Sequence, residues 1–361
     1  MKAPFLLSAA LLGFLACSTS AAPVDPADGL PPIILERTRI VSKPAHVDLN
    51  AEERAMAHNG KLPEDAEQKA GMALDATEGP RYEPKKSKRT TVTTATAEQM
   101  KDLEYFTYIC SDSYYTSVIP GGRWDCEHCN KTGDGVKLVT TFKSKLLDTN
   151  GFIARSDKKK QIDVVFRGTV SNVNWLADFT FVPVNYPPVE GAKVHAGFYH
   201  SYQDVAKSVI PLVQKQLDEY PDYEVVVAGH SLGAALAVVG VLDLYQREPR
   251  LNADNLRLFT YGGPRVGNPD FAYYAVGTGI KWWRSVHERD VVPHMPPQAF
   301  GYLHPGLEFW INDEKNVVQV CQSDLETDSC SNSIVPFTNW PDHTKYYDIL
   351  IGPRKGKTDD L

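Results

Sequence analysis

The chain has 361 residues, 42% hydrophobic and 23% charged, with a formal net charge of -7. That composition fits an ordinary globular protein with room for one large or two medium domains. The acidic balance gives no electrostatic footprint for nucleic acid, but it leaves lipid surfaces open, since apolar burial alone holds proteins there.

Lys2 opens the chain with a positive charge, Phe5 to Cys17 is an apolar run, and Ser18 to Ala22 are small. This is the pattern of a secretory signal over residues 1–21. The apolar run is shorter than the roughly 20 residues that span a bilayer, and no later segment is long and apolar enough. A secreted, extracellular protein with no transmembrane segment is expected. Residues 22–89 are rich in Pro, charge and Ala, and their one aromatic residue is Tyr82. Such a stretch buries too little apolar surface to offset its ordering entropy and is expected to be largely disordered. It ends in Lys85-Lys86-Ser87-Lys88-Arg89. That basic run suits a propeptide cut after Arg89, the plain alternative being a linker that is never cut.

Residues 90–361 carry the expected catalytic domain. Helical spacing appears over Ala97 to Cys110, Ser201 to Tyr220 and Ala234 to Gln246. Strand patterns appear over Gln161 to Arg167, Tyr223 to Ala228, Leu256 to Tyr261 and Lys281 to Val286. Strands alternating with helices predict an α/β protein with a single, mostly parallel sheet covered on both faces. In an oxidising compartment Cys126 with Cys129, and Cys321 with Cys330, are spaced for local bridges, and Cys110 is left over. A four-thiolate zinc site is the rival, but the second spacing is wide for a zinc knuckle. Asn130-Lys131-Thr132 is a glycosylation sequon beside the first pair.

The chemistry centres on Gly229-His230-Ser231-Leu232-Gly233, which lies between the strand pattern YEVVVA and the helix pattern AALAVVG. A sharp strand-to-helix turn presents a serine at the head of a helix, and small residues are needed where the two backbones approach. Without the strand and helix the pentapeptide would be weak evidence. Ser231 is therefore the candidate nucleophile, and a serine at its free pKa needs a base that a carboxylate orients. Four histidines follow it at a distance: His287, His294, His304 and His343. Pattern alone does not choose among them. Asp290 lies just beyond the strand KWWRSV, at an edge where sheet proteins place sites, and His343 is far enough along to fold back.

Several longer stretches occur together: VIPGGRWDCEHC, VVFRGT, NWLADFTFVPVNYPP, KVHAGF, VAGHSLG, GGPRVGNP, HERDVVPHMPPQAFG and SDLETDSCSNSIVPFT. Across residues 97–350 they resemble the secreted fungal class 3 lipases of the Rhizomucor and Rhizopus type. The resemblance implies an α/β-hydrolase fold with a short helical lid, and triacylglycerol hydrolysis. It implies Ser231 as nucleophile, Asp290 as orienting acid and His343 as general base, with an acyl-enzyme intermediate. It gives the oxyanion hole to Thr169 and Leu232, and the acyl groove to Phe181, Val292, Trp340 and Pro341. No metal or organic cofactor is implied; the expected partners are a glyceride and the lipid–water interface, and the expected state is a monomer.

The same resemblance puts the lid just after Thr169. There Val173, Trp175, Leu176 and Phe179 offer one apolar face, and Asn172, Asn174 and Asp178 a polar one. Trp175 and Leu176 argue against the polar lids of feruloyl-type esterases, while phospholipase A1 action stays open. A peptidase and a non-catalytic lipid-binding protein are alternatives from other classes. The chain departs from the family where a long-range bridge is usual: Tyr115 stands at the early cysteine position and the tail ILIGPRKGKTDDL has none. Trp340, Pro341 and Thr344 replace residues that are often aliphatic, so acyl-chain preference does not carry over.

Overall fold

The computed structural model describes residues 29–41, 90–118, 124–132, 135–143, 150–169, 181–335 and 337–353. Its strands are β1 (Val92–Thr94), β2 (Val136–Lys143), β3 (Asn150–Ser156), β4 (Gln161–Phe166), β5 (Pro183–Asn185), β6 (Lys193–His195), β7 (Glu224–His230), β8 (Leu256–Tyr261), β9 (Lys281–His287), β10 (Leu307–Asn312), β11 (Val317–Cys321), β12 (Lys345–Tyr346) and β13 (Ile349–Leu350). Its helices are α1 (Ala97–Asp112), α2 (Ala196–Glu219), α3 (Leu232–Arg247) and α4 (Pro269–Gly277).

Nine strands form one sheet in the order β1-β11-β10-β9-β8-β7-β4-β3-β2. From β4 through β7, β8 and β9 to β10 the pairings are parallel. Both edges are antiparallel: β3 on β4 and β2 on β3 at one side, β11 on β10 and β1 on β11 at the other. The expectation of a mostly parallel sheet thus holds for the centre only. Antiparallel neighbours need no crossover helix, and β10 turns into β11 through Asp313–Lys315 and Asn316, whose φ of 49° lies in the left-handed region.

Alternation along β7 explains the layering. Val225 and Val227 belong to the core shared with α2 and α3, while Val226 and Ala228 face the core shared with α1. Thr96 and Gln99 close a reciprocal capping box at the start of α1. Helix α2 begins at Ala196, ahead of the expected Ser201, because the His195 side chain accepts the Phe198 N–H.

One stretch of residues 22–89 departs from the compositional expectation. Residues 29–41 lie against the C-terminal end of α3. Leu30 and Ile40 pack on the core, and the Ile34 N–H bonds the Gln246 carbonyl at 2.8 Å. The Arg37 guanidinium donates to the carbonyls of Tyr245 at 2.6 Å, Leu251 at 2.8 Å, Glu248 at 3.0 Å and Pro249 at 3.0 Å. The last carbonyls of a helix have no intrahelical donor and carry its negative pole, so a guanidinium is a fitting partner.

Both expected bridges, Cys126–Cys129 and Cys321–Cys330, are formed, so their sulfurs are not zinc ligands. Cys110 is unbonded and buried, and burial pushes its thiol well above the ordinary range. Tyr115, at the position where the family's bridge would start, is buried.

Candidate active site

Ser231 sits between β7 and α3 with φ 60° and ψ -131°. A non-glycine residue held there stores about 1–3 kcal/mol of strain, which only a rigid surround sustains. The surround is two backbones in contact: a Cβ on Gly229 would lie 2.3 Å from the Gly233 carbonyl oxygen, and one on Gly233 would lie 2.2 Å from the Phe166 carbonyl oxygen. Ser231 is the N-cap of α3, yet its side chain makes no capping bond. Its hydroxyl is not spent on the helix, and its backbone N–H is anchored to the Tyr261 carbonyl at 2.9 Å.

The sequence left four histidines open, and their partners separate them. The His287 Nδ1 meets the Asp342 carbonyl and its Nε2 the Asp313 carboxylate. His304 Nε2 donates to the Pro293 carbonyl at 2.8 Å, and His294 Nδ1 faces the Asn332 side chain at 3.1 Å. His343 Nδ1 lies 2.8 Å from Asp290 Oδ2, with both residues fully buried. Its Nε2 has no partner among the described residues. Of the four, only His343 pairs a buried carboxylate with an open ring nitrogen.

Asp290 follows β9 and is held on every side. Its Oδ1 accepts the Val292 N–H at 2.9 Å, and its Oδ2 also accepts the Tyr346 hydroxyl. Burial alone would raise its pKa; the attraction and hydrogen bond from His343, with the Tyr346 and Val292 donors, outweigh that and hold it below the usual carboxylate value. The loops carrying acid and base are tied together by the Val291 N–H to the Asn339 carbonyl at 3.0 Å and the Asn339 N–H to the Arg289 carbonyl at 2.7 Å. Gly262, at φ 55°, fills the remaining gap: a Cβ there would lie 2.8 Å from Asp290 Oδ2 and 2.9 Å from His343 Cε1.

Behind the pair, the ring of His230 stacks on His343 at 4.6 Å. Its Nε2 is 2.9 Å from the His343 carbonyl, which can only accept, so Nε2 carries the proton. Nδ1 then accepts the Tyr114 hydroxyl at 2.7 Å. Burial, with the adjacent His343, lowers the His230 pKa to about 3, so it stays neutral. Tyr114, His230 and Tyr346 are supports that the sequence reading missed. Nothing local marks them, because each partner comes from a distant element.

Thr169 is buried in the turn three residues beyond β4, and Leu232 starts α3, where first-turn amides lack intrahelical acceptors. A Cβ on Gly168 would lie 2.9 Å from Ser231 Cβ, so the two turns abut. Phe181, Val292 and Trp340 gather with Val291, Met295, Phe300 and Tyr302 in one apolar cluster, and the Trp340 ring is 4.7 Å from that of His343. Pro341 is exposed at the start of a short turn. Asn172, Val173, Trp175, Leu176, Asp178 and Phe179, expected to form a lid, lie outside the described residues. Below the cluster, Arg265 bonds Glu326 at 2.8 Å and donates to the carbonyls of His294 at 2.6 Å and Pro296 at 2.9 Å. Burial would raise the Glu326 pKa, but Arg265 and His304 hold it well below the carboxylate range.

Residues 163–300 match the family model for class 3 lipases. A lipase from Rhizomucor miehei is 50% identical over 328 residues, covering 90% of each chain. A lipase from Rhizopus niveus is 53% identical over 261 residues, covering 72% of this chain and 67% of that one. The solved Rhizomucor miehei lipase–propeptide complex superposes with a TM-score of 0.77 at 49% identity, covering 90% of this chain and 99% of that one. A triacylglycerol lipase structure described as having a serine protease triad at its catalytic centre superposes at 0.70 with 52% identity, covering 73% and 99%.

Proposed function

The chain belongs to the class 3 lipases, and from that premise we propose that it is a secreted lipase that hydrolyses glyceride esters through Ser231, His343 and Asp290. Ser231 attacks the ester carbonyl while His343 Nε2 takes its proton, with Asp290 fixing the tautomer and stabilising the imidazolium. The Thr169 and Leu232 amides receive the negative charge that exists only in the tetrahedral intermediate, each worth about a hundredfold or more in rate. Water then releases the fatty acid from the acyl-enzyme by the same route. The observation that carries the reading is the buried His343, bonded to Asp290 on one nitrogen and open on the other, its ring stacked on that of His230, the residue before the strained Ser231.

Residues 172–179 form the lid in this proposal, exchanging contact with the site for contact with lipid. Residues 22–89 form a propeptide cut after Arg89. In support, the chain joins the fold immediately afterwards: the Thr90 N–H bonds Ser329 Oγ at 3.2 Å and β1 pairs with β11. Ser231→Ala should abolish turnover of emulsified triglyceride and of a soluble short-chain ester while leaving binding to the emulsion unchanged. Retained turnover would remove Ser231 from the mechanism. Rates on phospholipid, feruloyl ester and casein, run beside triglyceride, test the substrate class. A secreted N-terminus at Ala22 rather than near Thr90 would overturn the propeptide.

A further inference from the structure

The Cys126–Cys129 bridge has a neighbour that a purely structural disulfide does not require. Asp112, the last residue of α1, is fully buried and places Oδ1 3.1 Å from Cys126 Sγ. One of its carboxylate oxygens and both sulfurs lie within 4.8 Å of one another. A disulfide sulfur carries no hydrogen, so a hydrogen bond at that distance requires the carboxyl to be the donor and therefore to hold a proton. Burial acts in the same direction, raising the Asp112 pKa well above its ordinary value. Oδ2 has no hydrogen-bond partner among the described residues, as expected where no cation or donor stabilises an ionised form. The same sulfur also accepts the Cys129 backbone N–H at 3.0 Å. One backbone donor, joined by the Asp112 carboxyl when it holds its proton, meets Cys126 Sγ, the environment that favours a sulfur departing with an electron pair.

We propose that Cys126–Cys129 is a thiol-exchange site for a small dithiol, with Asp112 delivering the proton to the departing Cys126 sulfur. One thiolate of the dithiol attacks Cys129 Sγ; the S–S bond breaks, its electron pair goes to Cys126 Sγ, and the Asp112 proton follows. The second thiol of the reagent then attacks the mixed disulfide, closing a cyclic disulfide and releasing Cys129. The dithiol is oxidised by two electrons. Its two protons end on Cys129 and on Asp112, which regains its acid form. The half-cystines are 6% and 2% exposed, which restricts the reaction to small reagents. The other bridge lacks this chemistry among its described contacts, its neighbour being the Thr327 hydroxyl 3.8 Å from Cys321 Sγ.

The test uses folded full-length protein, dithiothreitol as the probe, timed alkylation and mass-spectrometric assignment of each cysteine. Cys126–Cys129 should open while Cys321–Cys330 stays closed and the near-ultraviolet dichroism is unchanged. Burial raises the Cys110 thiol and the Tyr105 hydroxyl, which face Asp112, so they keep their protons, and His128 on Ser111 is the other titratable neighbour. Divided by the dithiothreitol thiolate concentration, the wild-type rate should fall as pH rises and Asp112 gives up its proton, and should do so equally in His128→Gln. In Asp112→Asn the normalised rate should be about tenfold or more lower at acid pH and flat with pH. Opening of both bridges together with loss of the fold would overturn the proposal, as would identical rates and profiles in the two proteins. Should the variant fail to fold, the wild-type profile decides: a flat normalised rate overturns the proposal, and a falling one sustains it.

Discussion

Helix α3 has two ends that meet opposite requirements. Its N-terminus carries Ser231 in a strained conformation, flanked by two glycines where any side chain would conflict with backbone. At its C-terminus Arg37 gathers the carbonyls of Tyr245 and the C-cap Glu248, with those of Pro249 and Leu251 just beyond the helix. The dipole is the same at both ends and serves a developing anion at one and a guanidinium at the other. The difference lies in permanence. Contacts around Ser231 come from the body of the domain, whereas the C-terminal partner comes from a segment that a cut after Arg89 would detach.

Substitutions at one end should leave the other untouched, and the largest effect belongs to the acid. Asp290→Asn should lower kcat on a soluble ester by about 10⁴, since the wrong imidazole tautomer is then favoured, with no change in docking of residues 29–41. A fall under tenfold would break the assignment of Asp290.

His230 should produce the next effect, on stability. Its folded pKa is about 3 against an ordinary 6.5, so between those values the unfolded chain binds more protons. Stability from this group is complete above pH 6.5 and is lost as pH falls toward 3. His230→Gln should flatten the slope of unfolding free energy against pH by up to about 1.4 kcal/mol per pH unit, read by urea titration at pH 4–6. An unchanged slope would show that His230 is protonated in the fold.

Arg37→Ala concerns the opposite end. It should weaken binding of a residue 29–41 peptide to the processed domain about a hundredfold, through the loss of charge-assisted bonds. Ester turnover should not change, and a matching loss of kcat would couple the two ends. The smallest effect is expected for Tyr346→Phe, which removes one of the donors on Asp290 and should cost about tenfold in kcat. Equal activity would make that hydroxyl a packing feature only.

How far the sequence could be read follows from the range of each interaction. Ser231 was legible because its strand, turn and helix are contiguous. His343 was not, because its acid lies 53 residues away and His287, His294 and His304 look equivalent until their partners are known. The resemblance, not the spacing, singled out the pair. The central parallel strands announced themselves as apolar runs, whereas β2, with half-covered positions and a register shift at Leu138 to Thr140, did not. Residues 29–41 were hidden by averaging: Leu30, Ile33 and Ile40 are diluted in the composition of residues 22–89, and Arg37 finds its carbonyls more than 200 residues away.

Arg265 has a bearing on the shape of the apolar cluster beside His343, although it lies outside it. It braces the backbone at His294 and Pro296, directly under Met295, and is itself fixed by Glu326 inside the loop that Cys321–Cys330 closes. Breaking such a buried pair from one side costs about 3–5 kcal/mol, so the backbone at this edge of the apolar cluster gives little. The apolar cluster therefore takes part of its shape from a covalent loop on its far side, and if it receives the acyl chain, as the family resemblance implies, discrimination between fatty acids is open to change by residues that never meet one.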